Sequence, residues 1–193
     1  MRIIAGTHRG RRLSGPAGTA LRPTSDKVRG ALFSILGAQV QGSRFLDLYA
    51  GTGAVGIEAL SRGAAAVTFV ESDPKAVQLL QKNLQACQLL DRAHVFVERT
   101  ATFLARQDWW HGPYDVLFAD PPYAALDEFE ILTHAWKPGL LSEEATMMIE
   151  HESRTPLPAS LDHAELVRRY VYGDTALYLY GISPSASTES SIL

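Results

Sequence analysis

The sequence predicts an α/β protein built on a doubly wound, mostly parallel, seven-stranded sheet with an antiparallel hairpin at its C-terminal end. Three observations carry that prediction. Short apolar runs alternate with stretches of helical periodicity, the pattern of strands joined by crossover helices. Phe45, Leu46 and Leu48 lead into Gly51, Gly53 and Gly56, and Ile57, Ala59 and Leu60 follow at helix spacing, so a strand, a tight turn and a helix start succeed one another. Near the end, residues 166–172 and 176–180 flank Gly173-Asp174, a hairpin signal.

The chain has 193 residues, room for one domain with a substantial core. Residues 1–40 read as a basic extension and helix, 41–182 as the main domain, and 183–193 as a Ser/Thr-rich tail expected to be disordered. No apolar run is long enough to span a bilayer, and the basic N-terminus lacks an apolar signal core, so a soluble cytoplasmic protein is expected; a monomer is expected as well. Cys87 is the single cysteine, which excludes an internal disulfide, and the six histidines are scattered without ligand spacing, so no metal is predicted. The net charge of −3 hides an asymmetry: residues 1–30 hold seven basic side chains against Asp26 alone and carry +6, leaving −9 for the rest. A basic arm on an acidic body suits a local polyanion contact, although a solvated basic tail would look the same.

Taken in order, Ile3 and Ile4 suit a short strand, followed by a Gly- and Arg-rich segment whose guanidiniums match phosphate geometry. After the loop around Pro16, residues 21–36 read as a helix with Thr24 or Ser25 as N-cap and Val28, Ala31, Leu32, Ile35 and Leu36 as its apolar stripe. Lys27 and Arg29 fall off that stripe and are expected to face outward. Residues 67–70 form the second strand, ending at Glu71, and Asp73-Pro74 opens a helix running to about Cys87, a small core filler. Residues 95–97 are a third strand and 101–106 a short helix; Trp109 and Trp110 could stack RNA bases, but before a Pro-containing turn packing on the core is the plainer expectation. The fourth strand, 116–119, delivers Asp120-Pro121-Pro122-Tyr123, a helix is read over 126–136, and 147–149 form a buried strand. In such sheets ligands lie beyond the carboxyl ends of the strands, where Asp47 to Gly53, Glu71 and Asp120 to Tyr123 all fall.

The glycine spacing alone also fits a dinucleotide site, since Glu71 lies 20 residues past Gly51. Asp47, four residues before Gly51, separates the readings. A carboxylate inside the strand disfavours a pyrophosphate but welcomes an ammonium or a sulfonium, and S-adenosylmethionine carries both cations and no phosphate. Alternatively, Asp47 only hydrogen-bonds the glycine turn. Glu71 is placed to accept two ribose hydroxyls, or else to cap the next helix. In Asp120-Pro121-Pro122-Tyr123 the prolines hold the backbone extended and remove two donors, leaving carbonyls free beside a carboxylate. That set holds the hydrogens of an exocyclic nucleobase amine and turns its lone pair out of the ring, while Tyr123 can stack on the base. A rigid loop with a buried tyrosine is the plainer reading. Methylation at a pyrimidine carbon would need a thiolate in an active-site loop, and Cys87 sits on a predicted helix far from these residues.

The segments R-I-I-A-G-T-H-R-G-R-R-L, L-R-P-T-S-D-K-V-R-G-A-L-F, F-L-D-L-Y-A-G-T-G-A-V-G and D-P-P-Y together resemble the bacterial 16S ribosomal RNA guanine-N2 methyltransferases, over nearly the whole of residues 1–180. The resemblance implies a Rossmann-like S-adenosylmethionine-dependent methyltransferase domain with a small N-terminal extension for RNA, acting on a guanine of the small ribosomal subunit or its late assembly intermediate. It implies cofactor contacts at Asp47, Tyr49, Ala50, Gly51, Thr52, Gly53, Glu71, Ser72 and Thr100, and catalytic roles for Asp120, Pro121, Pro122 and Tyr123. RNA contacts fall to Arg9, Arg11, Arg12, Arg22, Thr24, Lys27 and Arg29. Two departures stand out: Gly30 replaces a usual glutamate, and Arg99 stands where an acid or amide often closes the adenine pocket. A DNA amino methyltransferase would share the chemistry but needs a target-recognition insertion for which no gap has room. An NAD-linked oxidoreductase would share the glycine turn but leaves Asp47 and the D-P-P-Y segment without a role.

Overall fold

A computed structural model describes residues 1–15, 25–122 and 135–182. Its strands form one sheet in the order β3-β2-β1-β4-β5-β8-β7-β6. Strands β1 (Arg44–Leu48), β2 (Ala66–Glu71), β3 (Ala93–Val97), β4 (Tyr114–Ala119) and β5 (Leu141–Glu152) are parallel. Strand β8 (Thr175–Ile182) runs antiparallel to β5, and β7 (Ala164–Tyr172) antiparallel to β8. Together they are the seven strands expected. An eighth, β6 (Ser160–Leu161), adds two residues at the edge, too short for any periodicity to announce. Residues 126–134 of the helix expected over 126–136 lie outside the described residues, as does the tail at 183–193.

The local chemistry explains the helices. Helix α1 (Asp26–Leu36) begins at Ser25, whose hydroxyl accepts from Val28 N–H, with Asp26 in the first turn complementing the helix dipole. Helix α2 (Ala54–Ser61) buries all its residues, so it has no polar face to orient it and depends on its two ends for position. Helix α3 (Pro74–Cys87) is capped by Asp73 with proline at its start, and Cys87 is buried in its last turn, as expected. A short helix, α4 (Thr100–Ala105), follows β3. Alternation in the strands then feeds two cores. Phe45, Val67, Phe69, Val116, Phe118 and Met148 pack against α1, α2 and α3, while Leu46, Leu48, Val70, Leu117 and Met147 pack on the other face with Phe103 and Leu104. Trp109 and Trp110 are packed against this second core, and Trp110 donates its indole N–H to the Phe103 carbonyl.

The N-terminal arm folds back on itself rather than forming a strand of the sheet. Ile3 N–H donates to the Arg11 carbonyl, Gly10 N–H to the Ile3 carbonyl, and Ile3 and Leu13 are buried. Helix α2 holds it. The Glu58 carboxylate, fully buried, accepts from Ile4 N–H at 2.7 Å and Ala5 N–H at 2.9 Å. Ser61 donates to the Ala5 carbonyl and accepts from His8 N–H, and a Cβ on Gly6 would stand 1.8 Å from the Ser61 carbonyl oxygen. Here glycine is required by contact.

Candidate active site

After β1 the chain builds outward through β2 and β3, then returns to place β4 on the other side of β1. The carboxyl ends of β1 and β4 therefore flank the point where the strand order reverses, the usual crevice for a ligand in an open parallel sheet. The glycine turn occupies it. Tyr49, Gly51 and Gly53 have φ of 59°, 55° and 80°, all in the left-handed region. Gly51 is needed for its conformation, because nothing lies within 4 Å of a Cβ there, whereas Gly53 would also drive a Cβ to 2.1 Å from Leu80. Gly56 has a different reason: its Cβ would strike the Phe69 ring at 2.2 Å. Tyr49 bears a left-handed backbone without being glycine, a strain that clusters at functional turns.

Two acids brace this turn. Glu71 accepts from Gly51 N–H and from Asp73 N–H, both at 2.8 Å, so one carboxylate ties the turn to the start of α3. Each oxygen retains acceptor capacity, and the side chain lines the adjacent cavity. Asp47 is 1% exposed and accepts from Gly56 N–H at 2.8 Å. Burial pushes its carboxyl up to about 7, opposed by the Gly56 hydrogen bond and reinforced by the Glu71 charge. Its direct contact is thus with the first turn of α2, the plainer of its two expected roles.

The cavity encloses about 360 Å³ and is lined by Tyr49, Glu71, Ser72 and Thr100, as the sequence suggests, together with Val70, Glu98, Arg99 and Pro122. Glu98 is the residue that sequence reasoning missed. Its N–H donates to the Glu71 carbonyl as β3 runs on beside β2, which is what brings it to the wall. The signal was its place immediately past a parallel strand, the same signal that found Glu71. Thr100 is buried at the start of α4, beside Arg99. Ala50 and Thr52 lie in the turn itself: Ala50 N–H donates to the Val70 carbonyl, and the Thr52 carbonyl accepts from the Asn83 amide.

At the end of β4, Asp120 is held well above the usual carboxylate range, first by burial and then by the charges of Glu150 and Asp47. Pro121 is buried and Pro122 reaches the cavity; Tyr123 lies outside the described residues. The cavity wall carries Glu71 and Glu98 against the single cation Arg99 among its lining residues, with Asp47 and Asp120 buried nearby and biased by that burial towards their neutral forms. Such a field favours a cationic ligand and disfavours a pyrophosphate.

The residues expected to meet RNA divide. Arg9, Arg12 and Lys27 are exposed, while Arg11 donates to the Ala86 carbonyl near the end of α3. Arg22 and Thr24 lie outside the described residues. Arg29 requires a correction. It is fully buried, with Nη2 donating to Asp26 at 2.9 Å and Nε 3.7 Å from the buried Glu58. It shares a helix face with Phe33 and Leu36, and that spacing turns it inward, away from any nucleic acid.

A family model described as Conserved hypothetical protein 95 matches residues 1–181. Ribosomal RNA small subunit methyltransferase D of Escherichia coli is 37% identical over 180 residues, covering 93% of this chain and 89% of that protein. The chain belongs to the ribosomal RNA small subunit methyltransferase D family. The family resemblance read from the sequence therefore holds. YlbH of Bacillus subtilis is 36% identical over 183 residues, covering 93% of this chain and 98% of its own. Among solved structures, Escherichia coli yhhF superposes with a TM-score of 0.82 at 37% identity, covering 95% of this chain and 98% of its own. The Rossmann-like methyltransferase fold of this family member follows from these likenesses and from its sheet order.

Proposed function

We propose that this protein transfers a methyl group from S-adenosylmethionine to the exocyclic N2 amine of one guanine in 16S ribosomal RNA, within the small subunit or its late assembly intermediate. The observation that supports it most is the meeting of the glycine turn with Asp120-Pro121-Pro122 at the point where the strand order reverses, inside a cluster of carboxylates. The residues present fit this cofactor: a cavity of about 360 Å³ walled by Glu71, Ser72, Glu98 and Thr100, with Tyr49 of the left-handed turn at its edge. When bound, S-adenosylmethionine supplies an electrophilic methyl group carrying positive charge on its sulfur.

The chain's own residues do the rest by positioning. Glu71 accepts hydroxyl donors with the capacity left on its carboxylate, and Asp47 fixes the turn against α2 by accepting from Gly56 N–H. Asp120 accepts a hydrogen of the target amine, which holds the nitrogen lone pair out of the base plane. Pro121 and Pro122 keep their carbonyls free to accept the second hydrogen. Arg9, Arg12 and Lys27 meet phosphates, a salt-sensitive contact. The test is methyl transfer from labelled cofactor to small subunits purified from cells lacking this protein, followed by nucleoside analysis. Label confined to N2-methylguanosine at one site is the expected result; absence of label in that nucleoside would overturn the assignment.

A further inference from the structure

Glu150 belongs to no role discussed so far, yet it is a carboxylate only 4% exposed, in the middle of the machinery. Its position follows from register. Ala119 of β4 pairs with Ile149 of β5, and Phe118 with Met148. Neighbouring parallel strands carry paired residues side by side, so Asp120, just past the end of β4, stands beside Glu150, from which β5 runs on to Glu152. Burial first, and then the Glu150 charge, push the Asp120 carboxyl above its usual range, in keeping with that placement. On the other side Glu150 pairs with Leu177 of β8, and both Leu177 and Met148 belong to the apolar core under α1 and α2. The fold has therefore embedded a second acid in an apolar layer directly beside the acid proposed to handle the amine.

A buried like-charge neighbour is costly, because two carboxylates at contact cannot both ionise freely. It raises the proton affinity of both acids, which suits a place where a proton has to be gained and lost. Methyl transfer creates that need. As the bond from N2 to the methyl carbon forms, the methyl–sulfur bond breaks with its electron pair going to sulfur. The amine nitrogen, then positively charged, must lose one proton to become the neutral secondary amine. Asp120 is the acceptor within reach, and a lone exposed aspartate would be a weak one. We propose that Glu150 is a positioning residue that pairs with Asp120, so that the two carboxylates together receive and share the proton released from the methylated amine.

The surrounding charges leave this role to Glu150. Among the described residues, Asp47 of β1 also acts on Asp120, and Glu71 of β2 acts on Asp47. Of the charged groups on the helices packed against this face, Arg29 is committed to Asp26 and Glu58, Glu58 also holds the arm, and Lys27, Lys75 and Lys82 are exposed to solvent. Among the described charged groups, Glu150 is the one placed beside Asp120 by strand register, Tyr49 following on the β1 side.

The inference rests on Asp120 handling the amine in the reading above, and two measurements keep their failures apart. The first is kcat against pH at saturating cofactor and small-subunit substrate for wild type, Glu150→Gln and Glu150→Asp. Removing the neighbouring charge should move the acid limb down by roughly one to two pH units, as for a like charge at close range, while Glu150→Asp keeps the limb near that of wild type. The second is carbon-13 NMR titration of the Asp120 carboxyl in the free protein, assigned with Asp120→Asn, in which Glu150→Gln should lower the titration midpoint in the same sense. Because repulsion is mutual, Asp120→Asn should lower the Glu150 midpoint equally, which provides the test should Glu150→Gln fail to fold. An unmoved Asp120 or Glu150 titration overturns the pairing, whatever the RNA substrate proves to be. Wild-type protein that shows coupled titration but labels no guanine would overturn the substrate instead.

Discussion

Replacing Glu58 with glutamine should destabilise the protein more than any single change at the crevice. Glu58 is fully buried and accepts four contacts: the N–H groups of Ile4 and Ala5, the Arg62 guanidinium at 2.8 Å and the buried Arg29 guanidinium at 3.7 Å. Glutamine keeps the shape but replaces one acceptor by a donor, which must then face another donor. It also removes one of the two carboxylates paired with Arg29, leaving Asp26 alone, while Arg29 Nε and Nη1 have no hydrogen-bond partner among the described residues. Removing one partner of a buried ion pair costs about 3–5 kcal/mol, a large share of the ~5–15 kcal/mol that holds a domain folded. Urea unfolding of the two proteins with comparable m values measures the loss, and hydrogen exchange at Ile4 and Ala5 should accelerate with it. A second cycle separates charge from packing: Arg29→Met should cost less in the Glu58→Gln background than in wild type. A loss below about 1 kcal/mol, or additive costs in that cycle, would refute the view of Glu58 as a buried charge partner that pins the arm.

Asp47 sets a pH dependence in the opposite sense to acid denaturation. Its carboxyl is raised by burial from the ordinary range to about 7, so its contribution to stability is full below about pH 4 and is lost as pH rises towards 7; Asp47→Asn should flatten that decline in unfolding measured from pH 5 to pH 8, and an unchanged slope would count against the shift. Gly53→Ala combines a left-handed backbone with a Cβ at 2.1 Å from Leu80, for which about 2–4 kcal/mol of destabilisation is expected by chemical unfolding, together with weaker cofactor binding by calorimetry; full stability in the alanine protein would show that the turn has another shape. Arg9→Ala with Arg12→Ala should lower the slope of log affinity for small subunits against log salt by about 2, and a slope equal to wild type would remove these side chains from the phosphate contact.

Where the sequence spoke clearly, a backbone constraint lay behind it. The glycine turn and the Asp120-Pro121-Pro122 segment are legible because left-handed φ, close approach and missing N–H groups admit few residue types, so the residues report the geometry directly. The strand–helix alternation was legible for the same local reason. What the sequence hid depends on register. Nothing near Glu150 announces that it will emerge beside Asp120, because that follows from the pairing of Ala119 with Ile149 across more than twenty intervening residues. Glu98 is a milder case, reached only once β3 is known to lie beside β2. Arg29 was misread because a long charged residue beside an apolar stripe is ordinarily solvated; its burial depends on Glu58 in another helix and on the Arg2 carbonyl of the arm.

These long-range pairings also explain why the arm and the glycine turn are built on shared supports. Helix α2 starts at Gly53, receives Asp47 at Gly56, and within two further turns presents Glu58 and Ser61 to the arm. Asn83 of α3 repeats the connection from the other side: its amide donates to the Thr52 carbonyl in the turn and to the Ser14 carbonyl in the arm, while its oxygen accepts from Ser14 N–H at 2.7 Å. A buried amide with all three of these bonds made is costly to disturb at either end, since movement of the turn or the arm would strand a polar group without water. The basic arm is therefore held at a fixed position relative to the turn by two independent buried polar groups. That is the arrangement an enzyme needs if grip on a phosphate backbone is to deliver one base to one carboxylate pair.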